Sequence, residues 1–478
     1  TSSSSLIFDK NLSLNNISIS NSNSEINLTP TDGIIISTVD GQGLIYADNY
    51  KSNFIAESLV SKRYVDDLIS SLNIDIHYEG SIVYVDPLYG DNNTGIPFRR
   101  DLPYLSMASA SEAISFNGGL VYIKAGKYSE MCVLTDGLKY YCEPGVIFET
   151  GGFTDFNLTV NCDIYGYAKF IGDSILLKPF TVNNESNINF EFDEINITNS
   201  YQAIVINNSS SVNIRGNNIQ SVGVRTLHIK GSGYNNINIK GDIIGKNNSV
   251  YFENFSGNCI INSNNIITKN SIYQASNLYG VTTNNGVSGK ITINSNIKNL
   301  GTYTTTTKTN SAIRVSSGYF IINGDITGGV EYSVIITGSS LGNVTINGNL
   351  YSSVENLYND STSINLKLNS SQIITSGLSA TYSIILNNTS DTYFNNCNIV
   401  NLTTNSNLIL VSNSTSKVTL YNTNGFSNGA SGYFIDTNQN LNVGIHNTRS
   451  NKDNNLLVND LFEPSGFIYD NNFYLPTF

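Results

Sequence analysis

The sequence predicts an all-β chain folded as a right-handed parallel β-helix of about 12 coils, and three observations predict it. Charged residues make up 13% of the chain beside an ordinary hydrophobic share of 40%, where a soluble domain usually carries about 25% charge. Asn, Ser and Thr supply the missing polarity, and they favour turns and hydrogen-bond along sheets, whereas a long helix draws on Ala, Glu, Lys and Leu. A short phrase also recurs, as "NINIKGDI" from Asn236, "KITINSNI" from Lys290, "YFIINGDI" from Tyr319 and "NVTINGNL" from Asn343. Its intervals are similar but unequal, as expected where strands must hold register while the loops between them lengthen freely.

Aligned on the second apolar residue, the phrase anchors at Val160, Phe190, Ile214, Ile239, Ile261, Ile293, Ile322, Ile346, Leu366, Phe394, Leu420 and Ile445. These positions lie about 26 residues apart on average, inside the window for solenoid repeats. Within Ile237-Asn-Ile239-Lys-Gly241-Asp-Ile243 the period is two, then a turn residue follows. That is a strand with one buried face. So short a strand cannot bury its inner face alone, and the next copy must lie on it, about 4.8 Å along the axis. Aliphatic and Phe side chains then point inward, and Asn, Ser and Thr fill the corners.

The totals exclude several classes. Net charge is −12 and the Lys and Arg residues are scattered, so nothing could neutralise a row of phosphates and nucleic acid is not an expected partner. No apolar run reaches the roughly 20 residues that cross a bilayer, so membrane insertion is not expected. The Ser-rich start lacks the basic and apolar regions of a signal peptide, so Sec export is not expected either. The five cysteines, Cys132, Cys142, Cys162, Cys259 and Cys397, are odd in number and without a CxxC pair. They read as reduced, buried, small apolar residues, and no metal or other cofactor is expected.

Ahead of the repeat, residues 81–130 differ in kind. Ile82–Val85 reads as a strand, Asp91–Gly95 as a polar turn, about Tyr104–Phe116 as a helix and Leu120–Lys124 as a strand, closed by Gly126 and Tyr128. This stretch, with "VYVD", "PF" and "VYIKAGKY" in order, resembles the opening of pectin-lyase-like β-helix proteins. The resemblance implies a helix that caps the open end of the stack, plus the first coil, and implies no activity. Asp91-Asn-Asn-Thr-Gly95 lacks full calcium-ligand spacing and a distal Glu, so an Asx turn is the expectation there. The expected divisions are therefore 81–130 for cap and first coil, 131–450 for the β-helix and 451–478 for a closing segment.

Further upstream, "GLIYADNYKSNFIAESLVSKRYVDDLIS" runs from Gly43 to Ser70. It resembles a string found in tail and fibre proteins of tailed bacteriophages, notably crAss-like phages of Bacteroidota-type hosts, carried here by Gly43, Leu44, Tyr46, Asp48, Tyr50, Ser52, Phe54, Ser58, Leu59, Val60, Lys62, Tyr64, Val65, Asp66 and Ile69. Glu57–Leu72 reads as an amphipathic helix with Val65, Leu68 and Leu72 on one stripe. Residues 1–42 read as a β-patterned attachment domain and 43–80 as the linker. The resemblance implies a virion structural protein, a tail fibre or tail spike made in the host cytoplasm and carried on the phage tail. It implies a homotrimer, docked by residues 1–42 to other tail proteins and binding a host surface glycan or receptor.

Catalytic residues are not assigned, and the chain leans towards a non-enzymatic role. If it were instead a tail-spike depolymerase, glycoside hydrolysis would need two carboxylates on one outer face. Lyase chemistry would need a base beside a neutralising cation. The best local concentration is Glu191, Asp193 and Glu194 on one coil with Arg215, Arg225 and His228 on the next, where an exposed salt-bridge group is the plainer account. Alternation in "VRTLHIKG" sends His228 and Lys230 outward. Asp163, Asp242 and Asp325 read as equivalent turn slots. The chain has no Trp and 29 Tyr, so tyrosine must supply any sugar-stacking or receptor contact. Tyr273, Tyr279, Tyr303, the run Thr304–Thr307 and Arg314, on long intervals of the repeat, form the expected contact surface.

Overall fold

The structure is a computed structural model that describes residues 82–474, apart from 115–117, 130–133, 151–155, 159–161, 173–179, 183–186, 199–201, 208–210, 270–277, 302–309, 329–331, 370–371, 378–379, 388–390, 404–406, 413–416, 429–433, 438–441, 447, 451–457, 461–467 and 471–472. The attachment domain, the linker with its amphipathic helix, Cys132, Val160, Tyr273, Tyr303 and the run Thr304–Thr307 lie outside the described residues.

The fold is a parallel β-helix. Most coils contribute three short strands, one to each face, and every strand pairs in parallel with its counterparts on the neighbouring coils. The first and second faces belong to one sheet of 29 strands, and the third face is a sheet of 13. On two coils the first and second faces share one long bent strand, Asn258–Thr268 and Lys290–Asn299. The ladder continues through Ile468–Asp470 and Phe473–Tyr474, so the segment expected to close the stack contributes rungs of its own.

Alternation explains the core. Strand Gly318–Asn323 buries every second residue, with Phe320 and Ile322 inward and Tyr319 and Ile321 outward. Repeated coil after coil, the alternation builds a column of aligned, buried side chains on the first face: Ile164, Phe190, Ile214, Ile237, Ile261, Ile293, Ile322, Ile346, Leu368, Phe394, Leu420 and Ile445. Two sequence anchors are corrected by two residues. Ile237 takes the place given to Ile239, which pairs with Gly216 at the corner, and Leu368 takes the place given to Leu366, which pairs with Val344. A slip of two preserves the inward face, so alternation alone cannot detect it. The second face stacks Ile195, Ile219, Ile243 and Ile266, and the third stacks Ile204, Leu227, Val250 and Val281. Cys142, Cys162, Cys259 and Cys397 are buried among them as thiols, in no disulfide. Burial pushes the Cys162 thiol up to about 12, so it packs as a neutral apolar group.

The helix is shorter than its sequence pattern, Met107–Ala113, because Tyr104 is held in the sheet edge: its N–H donates to the Tyr84 carbonyl at 2.8 Å and its carbonyl accepts from the Asp86 N–H at 2.9 Å. Ser106 is the N-cap, its hydroxyl accepting from the Ser109 N–H at 3.3 Å. Met107, Ala110 and Ile114 join the core and cover the first rungs. Asp91–Gly95 is an Asx turn, with the Asp91 carboxylate accepting from the Asn93 N–H at 2.8 Å. Burial would raise the Asp86 carboxyl, but N–H groups of Leu88 and Tyr89 and the Lys124 ammonium outweigh it and hold it below its ordinary value.

Candidate functional site: a groove and an amide ladder on the first face

The corner between the first and second faces is indented. Residues from Gly166–Tyr167, Glu191–Asp193, Arg215–Asn217, Asn238–Lys240, Asn262–Asn264 and Asn294 line a groove of about 550 Å³. These belong to successive coils, so the five rung steps make it about 24 Å long. Strand Asn187–Glu191 places Glu191 outward because Phe190 before it is inward. Register then sets Arg215 beside Glu191 and Asn238 beside Arg215. Gly216 is required there, since a Cβ would stand 2.2 Å from the Phe192 ring that floors the corner.

The charges differ in what they have left to offer. Asp193 is engaged: the Asn217 amide donates to it at 2.6 Å and the Lys169 ammonium lies 3.4 Å away. Lys169 also reaches Glu194 at 3.6 Å. Among the described residues Glu191 and Arg215 enter no ion pair, although they are neighbours in register. Groove and charges together offer a free carboxylate, a guanidinium and the Lys240 ammonium within an amide-rich wall. Such a wall suits a hydroxyl-rich ligand, and Glu191 stands where it could hold or move a proton.

Beyond Arg215 the same outward position is asparagine on every coil from Asn238 to Asn395. The Asn262, Asn294, Asn323, Asn347 and Asn369 amides each donate to the preceding Asn Oδ1, at 2.5, 2.6, 2.7, 2.8 and 2.8 Å. Asn395 continues the ladder at 3.5 Å. A primary amide has two N–H donors and two acceptor lone pairs, so the ladder bonds leave Asn262, Asn294, Asn323 and Asn347 one of each for a ligand. Replacing Asn294 by Asp removes the donor to Asn262 and sets oxygen against oxygen. A stability loss of about 1–2 kcal/mol is expected, read as a lower denaturation midpoint at neutral pH. At the far end the position becomes Tyr421 and then His446. There a second hollow, about 620 Å³, is lined by Lys367, Tyr393, Phe394, Asn395, Thr419, Tyr421 and His446.

The sequence grouped Glu191, Asp193 and Arg215 with Arg225 and His228, and the structure separates them. Strand Arg225–Lys230 belongs to the third face. There the His228 Nε2 lies 2.8 Å from the Glu253 carboxylate, and the Arg225 guanidinium sits 3.9 Å from the Tyr251 ring centroid and 3.4 Å from the His228 Nδ1. His228 does face away from the core, but its side chain is only 4% exposed, which corrects the expectation of an exposed group. Burial, then the Glu253 charge, raises the Tyr251 hydroxyl above its ordinary value, with Arg225 opposing. Tyr251 and Glu253 were missed in the sequence. The signal was present, since "VYFE" at Val250 repeats "LHIK" at Leu227 one coil on.

Two further expectations are corrected. Tyr279 is a buried third-face strand residue rather than part of a protruding contact surface, its hydroxyl accepting from Arg314 at 2.6 Å. Arg314, half-buried, spends a guanidinium donor on that hydroxyl. Asp242 and Asp325 do share a second-face row, through Asn265 and Asn296. Asp163 does not, because it lies within first-face strand Cys162–Gly166 and accepts from Asn189 at 2.7 Å. Among the described residues no group of three or more His, Cys, Asp or Glu side chains is placed to hold a metal ion.

No protein-family model matches the chain, and no curated protein matches it. Among solved structures it is similar to the A-module of a mannuronan C-5 epimerase from Azotobacter vinelandii, with 9% identity over 78% of this chain and 94% of that module at a TM-score of 0.22. A likeness so distant carries no argument about activity.

Proposed function

We propose that the chain is a tail fibre or tail spike of a tailed bacteriophage, a virion structural protein that attaches the particle to a host surface glycan along the first face. The observation that carries the reading is the groove: it sets an unpaired Glu191 and Arg215 beside a row of amides with free donors and acceptors. The Gly43–Ser70 string ahead of the β-helix supports the phage part, with residues 1–42 docking to other tail proteins and three copies assembling. A stack held by interstrand hydrogen bonds and a continuous core suits passive adhesion, because every coil is roofed by the next.

Panels of acidic and neutral bacterial capsular polysaccharides, presented to the full chain, test the adhesive role. Arg215→Glu is expected to weaken the bound glycan by about tenfold or more, since a charge-assisted contact becomes a repulsion. A panel in which nothing binds overturns it. Immunogold labelling of the phage that encodes the chain tests its place, and absence of label from the tail overturns the virion assignment. Glu191 and Asp193 lining one groove favour a second reading, a depolymerase. That reading requires new reducing ends or unsaturated sugars from the bound glycan, lost in Glu191→Gln.

A further inference from the structure

We infer that the outer side of the first face is a two-station track for one extended acidic glycan, gripped at the Arg215–Lys240 groove and again at the Tyr393–Tyr421 hollow. The inference rests on the glycan reading above and adds what neither the groove nor the ladder gives alone: a second binding site, its ligand class and a length requirement.

The two stations lie on the same outward row. Register carries that row from Arg215 through the asparagines to Tyr421 and His446. Eight rung steps separate Arg215 from Tyr421, about 38 Å. Between them Asn262, Asn294, Asn323 and Asn347 of the amide ladder offer donors and acceptors to a hydroxylated chain.

The far hollow is built as a saccharide site. Tyr421 is 51% exposed, and its ring lies 6.3 Å from the His446 ring, centroid to centroid. Tyr393 stands on the adjacent row, its hydroxyl donating to Asp391 at 3.1 Å, which fixes the ring. Aromatic side chains around a mostly apolar hollow suit the apolar face of a pyranose. The lining holds Lys367 and His446 and no carboxylate. At the near station Lys169 is shared between Asp193 and Glu194, and Arg215 and Lys240 are the cations of the lining, with Glu191 beside them. Lys367 at the far end and Arg215 with Lys240 at the near end give a glycan's carboxylates a partner at each station, and Glu191 is left to accept from a sugar hydroxyl.

Two stations on one ligand act bivalently. A fragment too short to span them binds each site separately, and one that reaches both gains from a high effective concentration, by a factor on the order of 10²–10⁴ when the geometry fits. Affinity should therefore step rather than climb with chain length.

The test uses the full chain and size-graded fragments of acidic and neutral bacterial capsular polysaccharides, from disaccharides to fragments well beyond 38 Å, with Kd measured for each length. For an acidic series, Kd should fall by at least about tenfold as length passes roughly 38 Å. Tyr421→Ala and Lys367→Ala should each abolish the step while short fragments still bind at the groove. Both side chains face outward, so melting curves should match the unaltered chain; if one variant fails to fold, the other carries the test. A step that survives both variants, or no step in the unaltered chain, overturns the second station and leaves the glycan reading intact. An equal step with neutral fragments overturns the acidic class. Binding of no fragment at all overturns the glycan reading, and this inference with it.

Discussion

Ile261→Asp should break the stack in the middle. Ile261 is fully buried, packed in the first-face column between Ile237 and Ile293. A carboxylate in that place would lose its hydration and find only aliphatic neighbours above and below. An unpaired buried charge is among the few single changes that cost more than about 4 kcal/mol. Because each coil contacts only its neighbours, the damage should stay local, and the coils on either side should melt as separate blocks. Two unfolding transitions by circular dichroism, with early proteolytic cleavage near residue 261, are the expected result. Ile260→Asp is the matched control. One residue earlier, its side chain points outward between Asn236 and Thr292, and its cost should stay within about 1 kcal/mol. If the two variants melt alike, inward and outward are wrongly assigned here and the column is not a core.

The same contrast shows why so much of the fold was legible. Alternation states which side of a strand is buried, and it did so for the first-face phrases from Phe190 to Ile445, including those around Ile293, Ile322 and Ile346. It is silent on register, which is why Ile239 and Leu366 stood two residues from their true partners. It is also silent on which of three faces a strand joins. Glu191 and Arg215 end equivalent phrases, so their meeting could be read from the repeat itself. Arg225 and His228 follow one more corner, and a corner changes the direction in which a side chain points. Tyr279 was placed on a loop because the interval from Ile261 to Ile293 is long, yet that interval holds a second-face segment and the third-face strand Tyr279–Thr283. Strands without Asn and Gly punctuation leave little trace in a search for the phrase. The groove was not legible at all, since it is a property of the corner's shape and arises where Gly216 lets the Phe192 ring come close.

Phe170→Ala should be the most damaging neutral substitution near the groove. The Phe170 ring stacks on Phe148 at 4.9 Å and meets Phe180 edge-on at 4.6 Å and Phe190 at 5.6 Å, centroid to centroid. Truncation empties the centre of this cluster, and a buried Phe→Ala change costs about 3–5 kcal/mol, to which lost ring pairing adds about 0.5–1.5 kcal/mol. The denaturation midpoint should fall with an unchanged slope, the mark of lost stability rather than a changed unfolded state. The effect should also reach the groove. Phe190 lies 5.0 Å from Phe192, and these two rings flank Glu191 and support the corner that presents it. Glycan binding should therefore weaken even at temperatures where the chain is folded. Ile399→Ala, buried in the second-face column of a distant coil, should cost about 2–5 kcal/mol and leave groove binding unchanged. Equal loss of binding in both variants would mean that the groove answers to global stability alone, and that the aromatic cluster does not hold its shape.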